Sequence, residues 1–133
     1  MKKITLNDYQ EKAMSTCMPS SENISYMLLN LVGEVGEFAS KIAKQIRKGN
    51  LTIGSDKYPN CLLRGSTMKR EVHDTINEEL KKDAGDILWQ LSGLCKVMGW
   101  DLEDVAQMNL DKLAARKAAG TIDGDGDGII RTK

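Results

Sequence analysis

Apolar residues recur every three or four positions along four stretches of this chain, and that spacing predicts four helices. The first runs from about Leu6 to Met18. Pro19 ends it, because proline brings no N–H to the helical ladder. The second starts after Ser20 and Ser21 and reaches Lys48, with Gly49 as its stop. Its seam is Ile24, Leu28, Leu31, Val35, Phe38 and Ile42. The third runs from about Thr75 to Met98 and stops at Gly99, with Leu80, Ala84, Ile87, Leu91, Leu94 and Met98 as its seam. Asp101 is expected to cap the fourth. Asp104, at the third helical position, completes a variant of the capping box. That helix ends near Ala119 and Gly120.

Residues 50–74 keep no period. They are polar and carry Gly54, Pro59 and Gly65, so they read as a long loop, a length that is usually functional or disordered. Beyond Gly120 the tail Thr121-Ile-Asp-Gly-Asp-Gly-Asp-Gly-Ile-Ile-Arg-Thr-Lys133 is expected to be mobile unless a ligand or partner orders it. No useful stretch alternates as a strand would. The fold class is all-α, a four-helix-bundle-like domain over residues 1–120 with a Gly/Asp-rich tail over 121–133.

The chain has 133 residues, enough for one domain, which buries roughly 68% of its unfolded surface without a disulfide staple. Lysine plus arginine number 19, as do aspartate plus glutamate. A zero balance gives no global pull toward nucleic acid or an anionic membrane, so charge acts locally. Cys17, Cys61 and Cys95 are odd in number and unpaired in spacing, as reduced thiols of a cytoplasm-like compartment are. Lys2 and Lys3 are followed by polar residues where a signal peptide needs an apolar run. No apolar run approaches the ~18 residues of a membrane span.

The candidate chemistry lies in two acid pairs. Glu34 and Glu37 fall in Leu31-Val-Gly-Glu-Val-Gly-Glu-Phe38, and Asp83 and Asp86 in Asp83-Ala-Gly-Asp-Ile-Leu-Trp-Gln90. At i, i+3 each pair shares a helix face. With about 100° per residue, Asn30, Glu34, Glu37, Lys41 and Lys44 form a stripe beside the second helix's seam. Glu79, Asp83, Asp86 and Gln90 form one on the like-handed flank of the third. Antiparallel helices packed seam to seam would place both stripes along one groove. Four carboxylates there call for a cation, and an oxygen-only set suits Mg²⁺, with Mn²⁺ as the alternative. Gly33, Gly36 and Gly85 adjoin the acids. Each costs about 1 kcal/mol against alanine, which suggests a backbone or ligand close by. The plainer reading is a set of solvated charges, with Glu37 and Lys41 as an i, i+4 pair.

Other motifs carry less. His73-Asp74 imitates the HD phosphohydrolase dyad, but this single histidine cannot complete that metal site or serve a serine or cysteine nucleophile. The cysteines lack zinc-site spacing. The run from Asp123 to Gly128 imitates half an EF-hand, yet its twelfth position falls past Lys133. Trp89 lies opposite the seam, where the fourth helix or, preferentially, an oligomer interface would cover it.

Taken in order, these motifs resemble the MazG-like, all-α nucleoside triphosphate pyrophosphohydrolases. The family signature is Glu-x-x-Glu on one helix and Glu-x-x-Asp on the next. Here Glu34-Val-Gly-Glu-Phe-Ala-Ser-Lys-Ile-Ala-Lys44 and Asp83-Ala-Gly-Asp86 stand in those places. Leu6-Asn-Asp-Tyr-Gln10 resembles the opening helix. Asn109-Leu-Asp-Lys-Leu-Ala-Ala-Arg116 resembles the fourth-helix Asn-x-x-Lys-x-x-x-Arg, and the tail resembles small, phage-type members. Two departures stand out. Asp83 replaces the usual glutamate, one methylene shorter, so it would act through water or be supplemented by Glu79. The spacing from Glu37 to Asp83 is also long, and the excess falls in the 50–74 loop.

The resemblance implies cleavage between the α- and β-phosphates. Mg²⁺ would be held by Glu34, Glu37, Asp83 and Asp86, and one of these or Glu79 would take the water's proton. Lys44, Asn109, Lys112 and Arg116 would bind sugar or phosphate. Without the resemblance, Lys112 and Arg116 read as a solvated face favoured by the helix dipole. It also implies a homodimer or homotetramer. The alternatives are a dUTPase or dCTPase of the same superfamily, a non-catalytic helical interaction module, and a Ca²⁺-responsive module acting through the tail.

Overall fold

A computed structural model describes residues 2–50 and 70–122, without the side chains of residues 70–73. The described residues form α1 (Leu6–Met14), a 3-10 turn (Pro19–Ser21), α2 (Ile24–Arg47), α3 (Arg70–Val97) and α4 (Leu102–Ala118), and among them there is no strand. Residues 51–69 of the expected loop, the tail from residue 123, Cys61 and the side chain of His73 lie outside the described residues. Residues 70–74, expected as loop, are the first turn of α3.

Thr5 opens α1 with a reciprocal box: its hydroxyl accepts from the Asp8 N–H at 3.1 Å and its own N–H donates to Asp8 Oδ2 at 3.4 Å. The helix ends at Met14, earlier than the expected Met18. The Ser15 and Thr16 hydroxyls donate to the Lys12 and Ala13 carbonyls, each at 2.6 Å. Short hydroxyl side chains compete for such carbonyls and close a helix before any proline is reached. Asn23 caps α2, its side-chain oxygen accepting from Tyr26 N–H at 2.8 Å.

The three glycine stops hold as expected. Gly49, Gly99 and Gly120 have φ of 72°, 75° and 71°, and the N–H after each reaches back five residues, as from Trp100 to the Cys95 carbonyl at 2.8 Å. This is the Schellman closure. The expected Asp101 cap is not formed: its side chain makes no capping bond. Helix α1 supplies the cap instead. Gln10 Oε1 accepts from Leu102 N–H at 3.0 Å, and Asn7 Oδ1 from Glu103 N–H at 3.1 Å. The Gln10 amide also donates to the Trp100 and Ser92 carbonyls at 3.0 and 3.3 Å.

Helix α2 packs chiefly on α3, α1 lies across α3, and α4 touches α1 and α3 more lightly. The buried set is Met27, Ile76, Leu80, Cys95 and Leu102, with Gln10, Asp83, Gln90 and Ser92 among them. This departs from the expected seams. Ile24, Leu28 and Val35 are about half exposed, and Leu91 and Met98 are exposed too. On α2 the buried Met27 and the Lys41 that meets Asp83 lie on the acid-bearing side of the seam at about 100° per residue. The apolar stripe of α2 is therefore only partly used against α3. Trp89 differs as well: its indole N–H donates to the Ala13 carbonyl and the Thr16 hydroxyl, both at 3.1 Å, so α1 covers it.

Candidate active site

Two contacts fix the register of α2 against α3. Met27, fully buried, lies over Gly93, where an added Cβ would overlap the thioether. Lys41 meets Asp83 at 2.7 Å. Residues advance along α2 as they retreat along α3, so the helices are antiparallel. The Glu34–Glu37 stretch then stands opposite the Asp83–Asp86 stretch, which sequence alone allowed without fixing.

Asp83 is the buried member of the site, 7% exposed. Its Oδ1 accepts from the Lys41 ammonium, while its Oδ2 is buried with no hydrogen-bond partner. The Lys41 partner is thus Asp83 across the groove rather than Glu37 on its own helix. The hydrogen bond to Asp83 holds the Lys41 ammonium above the usual lysine range against a smaller effect of desolvation, and the charges of Asp83, Glu37 and Glu79 add to it.

Glu34 is half-buried and accepts from the Asn30 amide at 3.4 Å. Burial pushes its carboxyl up first, and the charges of Asp86, Glu37 and Asp83 push it further. The four acids therefore share one electrostatic neighbourhood. Glu37, Asp86 and Glu79 are exposed around it. From α1, the Tyr9 phenol is raised by burial and then by Asp86. Tyr9 of α1 thus feels the charge of Asp86, a coupling no spacing rule could reveal.

Among the described residues no three acidic, histidine or cysteine side chains close tightly enough on one point to ligate an ion as placed. One oxygen of Asp83 is held by Lys41. The donor set nonetheless fits a hard divalent ion: every candidate ligand is a carboxylate oxygen, and Asp83 keeps one bare, buried oxygen.

The fourth-helix candidates lie elsewhere. Asn109 and Lys112 line a cavity of about 640 Å³ with Trp100, Val105 and Met108, and none of Glu34, Glu37, Asp83 or Asp86 lines it. Arg116 is half-buried with its Nε unpartnered. Lys44 is exposed on α2, one turn beyond Lys41. The glycines beside the acids meet no backbone: among the described residues nothing lies within 4 Å of a Cβ at Gly36 or Gly85, and Gly33 has only Asn30 Oδ1 at 3.7 Å. Close approach occurs at Gly93 instead.

The described residues thus define an all-helical protein in which an antiparallel helix pair brings two acid pairs to face each other, with a helix before and a helix after. The chain belongs to the MazG family: the MazG nucleotide pyrophosphohydrolase domain matches residues 22–120, which include α2, α3, α4 and all four acids. It is 33% identical over 108 residues to the Gene 37 protein of Mycobacterium phage L5, covering 81% of this chain and 78% of that protein. No solved structure matches the chain.

Proposed function

We propose that this chain is a Mg²⁺-dependent pyrophosphohydrolase that converts a nucleoside or deoxynucleoside triphosphate to its monophosphate and pyrophosphate. The observation that carries this reading is the α2–α3 register, which sets Glu34 and Glu37 opposite Asp83 and Asp86 around one bare buried oxygen. Mg²⁺, or Mn²⁺ in its place, supplies charge neutralisation and a water of lowered pKa when bound. Glu34, Glu37, Asp83 and Asp86 would hold it. Glu79, exposed beside them, or one of the four takes the water's proton. Lys44 extends from the rim of the same helix to meet phosphate oxygens.

Asn109 and Lys112 line a separate cavity, so we assign them, with Arg116, to substrate held between copies of the chain in a homodimer or homotetramer. The half-exposed to exposed apolar residues Ile24, Leu28, Leu29, Val32 and Val35 of α2 support such an assembly. A cytoplasmic setting suits the free thiols of Cys17 and Cys95. Among the described residues no helix is long and apolar enough to cross a membrane.

The test is pyrophosphate release from eight NTPs and dNTPs with Mg²⁺, run beside Glu37→Gln and Asp86→Asn. Both variants should fold and lose about 100-fold or more of the rate. Turnover that survives in both removes the acid groove from the chemistry. A steep preference for dUTP or dCTP would narrow the enzyme to a base-specific one.

A further inference from the structure

Asp83 is fixed and buried, whereas its partner can leave. The Lys41 side chain is 34% exposed against 10% for Asp83, and it reaches the carboxylate on a flexible four-carbon stem. A buried carboxylate with no cation is strongly disfavoured unless it takes up a proton, and here Lys41 supplies the cation. Lys41 meets Asp83 at 2.7 Å, and Asp83 is one of the residues that would hold the metal under the reading above. One ammonium satisfies one oxygen of Asp83 and leaves Oδ2 bare.

We propose that Lys41 is the groove's resident cation: it holds Oδ1 of Asp83 until a divalent ion enters and then releases it, so that metal binding is an exchange of cations. This rests on the metal reading above and makes Lys41 a positioning residue that sets metal affinity. The Lys41–Asp83 pair also ties α2 to α3 in the metal-free chain, so the exchange links metal entry to the helix pair itself.

The experiment titrates Mn²⁺, without nucleotide, into the wild-type chain, Lys41→Met, Lys41→Arg, Asp83→Asn and Lys82→Met, reading free Mn²⁺ by electron paramagnetic resonance. Lys41→Met should bind about tenfold more tightly, the size of a charged hydrogen bond no longer in competition. Lys41→Arg, which keeps the cation, should stay near wild type. Lys82→Met removes the same charge from an exposed site next to Asp83 in sequence and should shift affinity less than about twofold. Lys41→Gln gives the same reading should the methionine variant fail to fold. Binding that is lost in Asp83→Asn but unchanged or weakened in Lys41→Met overturns the exchange and leaves the metal site standing. Equal tightening in Lys41→Met and Lys82→Met reduces the effect to net charge and overturns it too. Absence of any Asp83-dependent binding overturns both readings.

Discussion

Gly93 shows what one residue decides in this fold. Met27 lies against it, fully buried, and a single methyl group would overlap the thioether. Gly93→Ala should therefore lower the unfolding free energy by about 1–3 kcal/mol, the usual cost of overpacking a filled site. Denaturant unfolding followed by circular dichroism measures it. An unchanged midpoint would mean that Met27 has room to move. Sequence reading pointed to Gly33, Gly36 and Gly85 because they adjoin the acids, and passed over Gly93, whose partner lies 66 positions away. The acids themselves were readable, since i, i+3 spacing depends only on the helix repeat. Their electrostatic order was not. Asp83 is the buried acid and is reached by Lys41, a fact of packing that no local pattern carries.

At the scale of elements, local signals were read well and distant ones were not. Gly49, Gly99 and Gly120 stop their helices because only a left-handed residue completes the closure, and glycine adopts it without strain. The end of α1 and the cap of α4 were misread: hydroxyls close the first, and Asn7 and Gln10 supply the second from 96 and 92 positions away. The seams were found but their use was not, because an apolar stripe shows what can be buried and not against what. The mid-helix glycines give a prediction here. Among the described residues nothing occupies the space of a Cβ at Gly36 or Gly85. Gly36→Ala and Gly85→Ala should each stabilise the chain by about 0.5–1 kcal/mol. A loss of stability in either would place another backbone or a second copy against that face.

The described residues centre on an antiparallel helix pair that buries part of its apolar surface and one acid, Asp83, with Glu34 half-buried and Glu37 and Asp86 exposed beside it. Glu34 is pushed up by burial and by its acidic neighbours, and Asp83 keeps one oxygen bare. The positive charge observed there is that of Lys41, on Oδ1 of Asp83. The exposed stripe of α2 and the Asn109–Lys112 cavity fall outside the acid groove. Family membership and the all-helical class were within reach of the sequence. The division of candidate residues between two places on the chain required coordinates.

The most direct measurement is the identity of the products. A nucleoside triphosphate incubated with the chain and Mg²⁺ is followed by ³¹P nuclear magnetic resonance. Monophosphate and pyrophosphate in equal amounts, lost when Mg²⁺ is chelated, is the expected result. Diphosphate with free phosphate, or products unaffected by chelation, would contradict a metal-dependent attack between the α- and β-phosphates.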